Sequence, residues 1–319
     1  MKRILSLLLV VALMFTFAAC GGQNTTMTMG TGSPTGTYYA YGGIFGQYIT
    51  NEAGVTVNAV STGGSKDNIQ GIDSGDYQLG TVQSDVMHYA WNGTRSFEED
   101  GKIDSFRTVA GLYAEAVQLV TVNPDIKSVN DLKGKKVSIG APGSGVYFNA
   151  VDVLAAAGLT EKDIKPQYQN FDESADALKD GKIDAAFIVA GAPTPAITEL
   201  SMTNANTRIV AIDGDIAEKL MKDNTFYSVY KIPAETYKNQ TEEVTTVTVK
   251  ATLIVSADAS EDDVYNLTAA IFDNIEDITK EHAKGAELSL QNATEGLTVP
   301  FHAGAAKYFA EKDIEVEVK

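Results

Sequence analysis

Four short stretches rich in glycine and hydroxyl groups stand where an apolar, strand-like run ends and an amphipathic one begins: residues 30–39, 62–65, 143–149 and 191–194. Gln83-Ser84-Asp85 marks a fifth junction of this kind. The first N–H groups of a helix have no partner within it, and its dipole is positive there. A loop that bares its backbone just before a helix is therefore a ready anion site. Taken alone, each loop is also ordinary turn chemistry. Together they impose a repeated order of strand, loop and helix, which packs as helices covering a largely parallel sheet. The expected fold class is α/β, with the loops gathered at the carboxyl ends of the strands, where such sheets bind ligands.

The elements between the loops follow from periodicity. Tyr41, Ile44, Phe45, Tyr48 and Ile49 recur at helical spacing. Residues 55–60 alternate as a strand, and 185–190 read as a fully buried one. Ser84 or Asp85 is expected to cap a helix over 86–91. Residues 106–113 and 116–122 are β-branched and apolar enough for two strands, and 244–255 for another. Val264, Leu267, Ile271, Ile275 and Ile278 predict one long amphipathic helix over 261–281. Strand-like stretches near 113–120 and 249–255 are placed to cross between two lobes. The expected division is lobe I from 27–115 plus 250–319 and lobe II from 116–249.

The chain start has its own signature. Met1-Lys2-Arg3 is basic, residues 4–19 are apolar apart from Ser6 and Thr16, and Ala18-Ala19-Cys20-Gly21 follows. This is the pattern of a secretion signal with small residues at the cut. It predicts a signal peptide over 1–19, lipidation of Cys20 as in a bacterial lipobox, and a polar tether over 20–26. A chance cysteine beside an ordinary signal peptide is the plainer alternative. Cys20 is the only cysteine, so no internal disulfide forms. The expected location is extracytoplasmic, with a lipid anchor in the membrane.

Charge and histidine usage narrow the function. Forty-two acidic residues against 25 Lys and Arg leave a net charge of −17. Such a chain is a poor nucleic-acid binder, because phosphate affinity needs clustered cations. His88, His282 and His302 are the only histidines. No His-Glu-x-x-His or paired-cysteine pattern marks a metal site, and no Gly-x-Ser-x-Gly elbow marks a hydrolase. The glycine loops also lack the Gly-Lys-Ser/Thr ending of a nucleotide loop. The reading is a binding protein with no cofactor rather than an enzyme. An enzyme with an anionic substrate and a ligand-sensing surface lipoprotein are the alternatives.

The motifs also carry a family likeness. Gly30-Thr31-Gly32-Ser33 with Tyr38-Tyr39, Thr62-Gly63-Gly64-Ser65 with Asn68, Val82-Gln83-Ser84-Asp85-Val86, the run from Lys127-Ser128-Val129-Asn130-Asp131-Leu132 to Gly140-Ala141-Pro142-Gly143-Ser144-Gly145, Gly191-Ala192-Pro193-Thr194-Pro195, and Pro300-Phe301-His302-Ala303-Gly304-Ala305 resemble the TAXI-type solute-binding subunits of TRAP transporters. The resemblance implies a two-lobed periplasmic-binding-protein type II fold with a ligand cleft between the lobes. It implies hinge closure on a small organic anion or amino acid such as glutamate, glutamine or a related carboxylate, and delivery to a TRAP-type membrane permease. It also implies that Thr31, Tyr38, Tyr39, Thr62, Gly64, Ser65, Asn68, Gln83, Ser84, Asp85, Ser144, Gly145, Asn149 and Thr194 line the cleft. Within that set, the hydroxyls of Ser65 and Ser144 suit a carboxylate and Asp85 an ammonium. Asn68, Gln83 and Asn149 suit orientation, and Tyr38 and Tyr39 an apolar wall. Val146 departs from the threonine usual after Gly-Ser-Gly.

Overall fold

Two long strands organise the computed structural model, which describes residues 25–318. The expected signal peptide and lipidated Cys20 lie outside the described residues. The expected tether over 20–26 is shortened from its far end, because the first strand, β1 (Thr25–Gly30), already includes Thr25 and Thr26. The chain continues through α1 (Thr37–Glu52), β2 (Val55–Val60), α2 (Ser65–Ser74), β3 (Leu79–Gln83), α3 (Ser84–Asn92) and the first long strand, β4 (Phe106–Thr121). Then come β5 (Lys136–Ser138), α4 (Gly145–Ala156), β6 (Lys165–Gln167), α5 (Phe171–Lys179), β7 (Ala185–Ala190), α6 (Pro195–Thr203) and β8 (Arg208–Val210). Next are α7 (Gly214–Asp223), β9 (Ser228–Ile232) and the second long strand, β10 (Val244–Ser256). Helices α8 (Glu261–Phe272), α9 (Ile275–Glu281), α10 (Leu290–Thr294) and α11 (Ala303–Ala310) complete it.

The sheet runs β2-β1-β3-β10-β4-β7-β5-β6, with β8 on β4 and β9 on β10. β1 lies parallel to β2 and β3, and β5 parallel to β6 and β7. The long strands run antiparallel to each other and to their neighbours. A largely parallel sheet was expected; only the outer strands obey it. A crossover helix permits parallel pairing at the flanks, whereas β4 and β10 carry the chain from one half to the other and back. β10 pairs with β3 through 251–255 and with β9 through 244–248. β4 pairs with β7 through 116–121. Each long strand thus belongs to both halves of the sheet.

Each half has its own core. In the first, Tyr41, Phe45 and Ile49 of α1 pack with Val264, Leu267 and Ile271 of α8 and with Phe309 of α11. In the second, Val153 and Leu154 of α4 and Leu220 of α7 pack over Val137 and Phe187. Burying each such side chain contributes roughly 1.5–3 kcal/mol relative to leaving it in water.

Three local expectations are corrected. The two strands expected over 106–113 and 116–122 are one, β4, because β10 pairs along it through Ala114, Glu115 and Ala116, and β7 takes up its other edge from Ala116 onward. The helix expected over 261–281 breaks between Phe272 and Ile275. There Asn274 turns its amide to the Ala270 carbonyl and to Glu52, a side-chain bond that competes with the helical ladder. Ser84 and Asp85 do not cap α3: Gln83 holds that position, and both residues are buried inside the first turn.

Candidate functional site

A cavity of about 270 Å³ lies between the two halves. The first half contributes the loop before α1 with Thr37 and Tyr38, the 62–65 loop, Gln83 at the end of β3, and Glu115 in the middle of β4. The second contributes Ala141, Ser144, Gly145 and Val146 at the start of α4, Asn170 and Phe171 at the start of α5, and Val189 and Ala190 at the end of β7. Helices α1, α2, α4 and α5 all begin at this cavity. Gly36 and Gly64 precede α1 and α2 and have no side chain with which to cap them. Gly64 has φ +113°, a conformation that L side chains resist.

The loops of the two halves touch. Lys66 and Asp67 N–H groups at the start of α2 donate to the Gly143 carbonyl at 3.0 and 3.2 Å. Two first-turn donors of α2 are therefore used to join the halves. A Cβ added at Gly63 would lie 2.8 Å from the Pro142 carbonyl, and one at Gly145 would lie against the Gln83 amide and Ser65 Oγ. Glycine at these points is what lets the backbones approach. Along the rim, Ser33 and Thr35 hydroxyls donate to Asp172 at 3.0 and 2.5 Å. Thr37 Oγ1 donates to the Gly191 carbonyl at 3.0 Å, and Arg95 pairs with Asp152 at 2.5 Å. The halves are in a closed arrangement.

Inside, the dominant group is Glu115, only 2% exposed. Tyr38 OH donates to its Oε2 at 2.7 Å. Burial pushes the Glu115 carboxyl from its ordinary 4.5 up to about 8; hydrogen bonds from Tyr38 and Gln83, and the positive charge of Lys284, pull against that rise. Burial and the facing Glu115 raise the Tyr38 phenol well above its ordinary value, so it remains a donor. Lys284 sits behind the wall and is itself engaged, with Glu287 at 2.5 Å and Tyr230 OH at 3.1 Å. Gln83 Oε1 is buried with no partner. Among the described residues that line the cavity there is no lysine or arginine.

Of the fourteen residues expected in the cleft, the structure brings Tyr38, Thr62, Gly64, Ser65, Gln83, Ser144 and Gly145 to the cavity wall. The other seven are elsewhere. Thr31 Oγ1 donates to the Val60 carbonyl at 2.6 Å. Asn68 donates to the Thr31 and Thr81 carbonyls, both at 2.7 Å, and so ties β1 to β3 beneath α2. Tyr39 lies on the outer face of α1, 39% exposed. Thr194 is buried against Gln118 and Tyr237. Ser84 Oγ accepts from the Lys250 N–H on β10 at 3.3 Å. Asp85 and Asn149 pair in a separate buried cluster. Sequence reasoning missed Glu115, Asn170 and Phe171. A lone acid in the apolar run Leu112-Tyr113-Ala114-Glu115-Ala116-Val117 was the available signal for the first of these.

The histidines serve structure. His282 and His302 accept from the Lys284 and Gly304 N–H groups, and His88 meets Thr298. Among the described residues no cluster of metal-ligating side chains occurs, and no helix is long and apolar enough to cross a membrane.

Comparison with known proteins agrees with this architecture. The alkanesulfonate-binding protein SsuA from Xanthomonas axonopodis pv. citri, bound to MOPS, is 16% identical, with 90% of this chain and 91% of that chain covered, at a TM-score of 0.50. A putative L-cystine ABC transporter from Listeria monocytogenes is 17% identical over 83% of this chain and 98% of that one, at 0.52. A protein from Bordetella bronchiseptica RB50 is 18% identical over 90% and 89%, at 0.55. At these identities the likeness is one of fold: the chain has the two-lobed periplasmic-binding-protein type II fold. The model of the NMT1-like family matches residues 29–312, nearly the whole described chain, and the protein belongs to that family.

Proposed function

We propose that this protein is the solute-binding subunit of a membrane transporter, acting outside the cytoplasm. It closes its lobes on a small carboxylate-bearing solute and passes that solute unchanged to a permease. The observation that carries the reading is the cavity between two halves whose loops touch, walled by helix starts and one buried acid. Ligands that touch both walls favour the closed state, and β4 and β10 form the hinge. The lobes are residues 27–115 plus 250–319 and 116–249. Lipidated Cys20 tethers the protein to the membrane.

The solute is a zwitterion of the size of glutamate or glutamine. Its carboxylate sits at the helix starts, near Ser65 and Ser144. Its ammonium faces Glu115 and the unpartnered Gln83 Oε1, because a buried acid and an unsatisfied amide oxygen on a wall with no lysine or arginine call for a donor from the ligand. Glu115 thus takes the role first expected of Asp85. The motif likeness to TAXI subunits supports a TRAP-type permease as partner. The likeness to the protein described as a putative L-cystine ABC transporter favours an ABC permease as the second reading.

Mass spectrometry of solute retained by gently purified protein, followed by calorimetry with that compound, tests the function. Recovery of a bound amino acid with micromolar or tighter affinity is the expected result. Chemical conversion of the compound overturns the binding reading. Uptake by vesicles carrying a TRAP or an ABC permease distinguishes the partners.

A further inference from the structure

Behind the cavity, a second buried acid joins the halves. Asp85, in the first turn of α3, and Asn149, on α4, are both fully buried. Asn149 Nδ2 donates to Asp85 Oδ2 at 3.2 Å and to Tyr227 OH at 2.7 Å. Tyr227 OH in turn donates to Asp152 Oδ2 at 3.2 Å, while Arg95 holds Asp152 Oδ1 at 2.5 Å. This relay fixes which way the amide points: reversing it would set its oxygen against two acceptors. Two oxygens remain, Asp85 Oδ1 and Asn149 Oδ1, and both are buried with no hydrogen-bond partner. Two buried acceptors without a partner on one hydrogen-bonded acid–amide pair are costly, and a single proton shared between them relieves both.

We propose that Asp85 is a protonated latch between the lobes, its Oδ1–H donating to Asn149 Oδ1 and closing a two-bond acid–amide ring. The proton comes from water as the lobes shut and returns to water as they open. The proposal goes beyond solute capture and does not depend on the identity of the solute.

The surrounding charges agree. Burial pushes the Asp85 carboxyl from its ordinary 3.8 up to about 7, and Asp152 on α4 adds to the rise. The N–H groups of Val86 and Asp85 and the more distant Arg95 pull against it. Glu115 on β4 is a further buried acid whose charge couples unfavourably to that of Asp85. Tyr89 on α3 and Tyr227 are both held in the phenol form. His88 is engaged with Thr298, and Lys250 Nζ with the Asn292 and Glu295 carbonyls. The folded value lies above the unfolded one, so the folded protein takes up the proton. Stability from this group is complete below about pH 4 and lost as the pH rises to about 7.

Protein labelled with 13C at aspartate side-chain carboxyls tests the latch directly, without substitution and without interference from Glu115. One aspartate resonance titrating near pH 7 is expected; titration of every aspartate below pH 5 overturns the proposal. Thermal unfolding of wild type and Asp85→Asn gives the second reading, since the amide preserves the ring without a proton. The advantage of Asp85→Asn over wild type should grow by about 4 °C between pH 5 and pH 8. A difference that stays constant with pH shows that Asp85 holds no proton, and the proposal falls.

Discussion

On one side of the cleft stand Tyr38, Ser65, Gln83 and Glu115, side chains that donate or accept hydrogen bonds. On the other stand Val146, Phe171, Val189 and Ala190, which do neither, with Ser144, Gly145 and Asn170 at their edge, the last with its side-chain oxygen taken by the Glu173 N–H. The polar wall comes from the first half of the sheet and the mainly apolar wall from the second. The difference follows from what each half can satisfy. Glu115 sits on a long central strand, where Tyr38 and Gln83 reach it from neighbouring elements. The apolar wall is made of element ends, whose backbone needs are met locally and whose side chains need no partner. A ligand therefore meets chemistry on one side and shape on the other. On the proposed function, selectivity is expected of the first wall and closure of the second, because an unpaired buried polar group discriminates more sharply than a change of apolar contact.

Four variants test that division. Ser144→Tyr fills the space where the two walls meet, and retained solute should fall below detection by mass spectrometry; undiminished retention would remove this loop from the site. Glu115→Gln keeps the shape but loses the charge, and should weaken binding of the retained amino acid by about 10- to 100-fold, the worth of a charge-assisted hydrogen bond. The same variant tests the buried acid in the ligand-free protein. The folded value of Glu115 is raised to about 8 from 4.5, so wild-type stability from this group falls as the pH rises between those values. The melting temperature of Glu115→Gln should accordingly gain on wild type between pH 5 and pH 8 and then hold level. Phe171→Ala opens the apolar wall and should cost about tenfold in affinity through lost contact, with no change in preference between an amino acid and its keto acid. Thr194→Val, away from the wall, should leave affinity unchanged and lower stability by about 1 kcal/mol in denaturant titration, since it breaks the 2.9 Å bond from buried Gln118.

Half of the expected cleft residues reach the wall because their placement is a local matter. Glycine and hydroxyls between a strand and a helix mark a loop at the strand's end, and an α/β sheet brings such loops together. Thr62, Gly64, Ser65, Ser144 and Gly145 were legible for that reason. Asn68 and Thr194 stand in the same motifs, yet their side chains turn inward to strand carbonyls and to Gln118. Direction at a loop depends on which buried backbone groups lack a partner, and that follows from sheet pairing. Tyr38 and Tyr39 are adjacent, but on a helix consecutive residues face different ways: one meets Glu115 and the other meets solvent.

The amino-acid sequence by itself determined the α/β class and the strand-to-helix loops, because short-range periodicity and turn chemistry decide these. Tertiary structure alone decided that β4 is one strand shared by both halves, that Glu115 is the acid facing the cavity, and that Asp85 meets Asn149 behind it. Each of these rests on contacts between residues far apart in the chain: β4 with β7 and β10, and α3 with α4. A carboxyl group's surroundings, and so its charge, are set by such contacts rather than by its sequence neighbours.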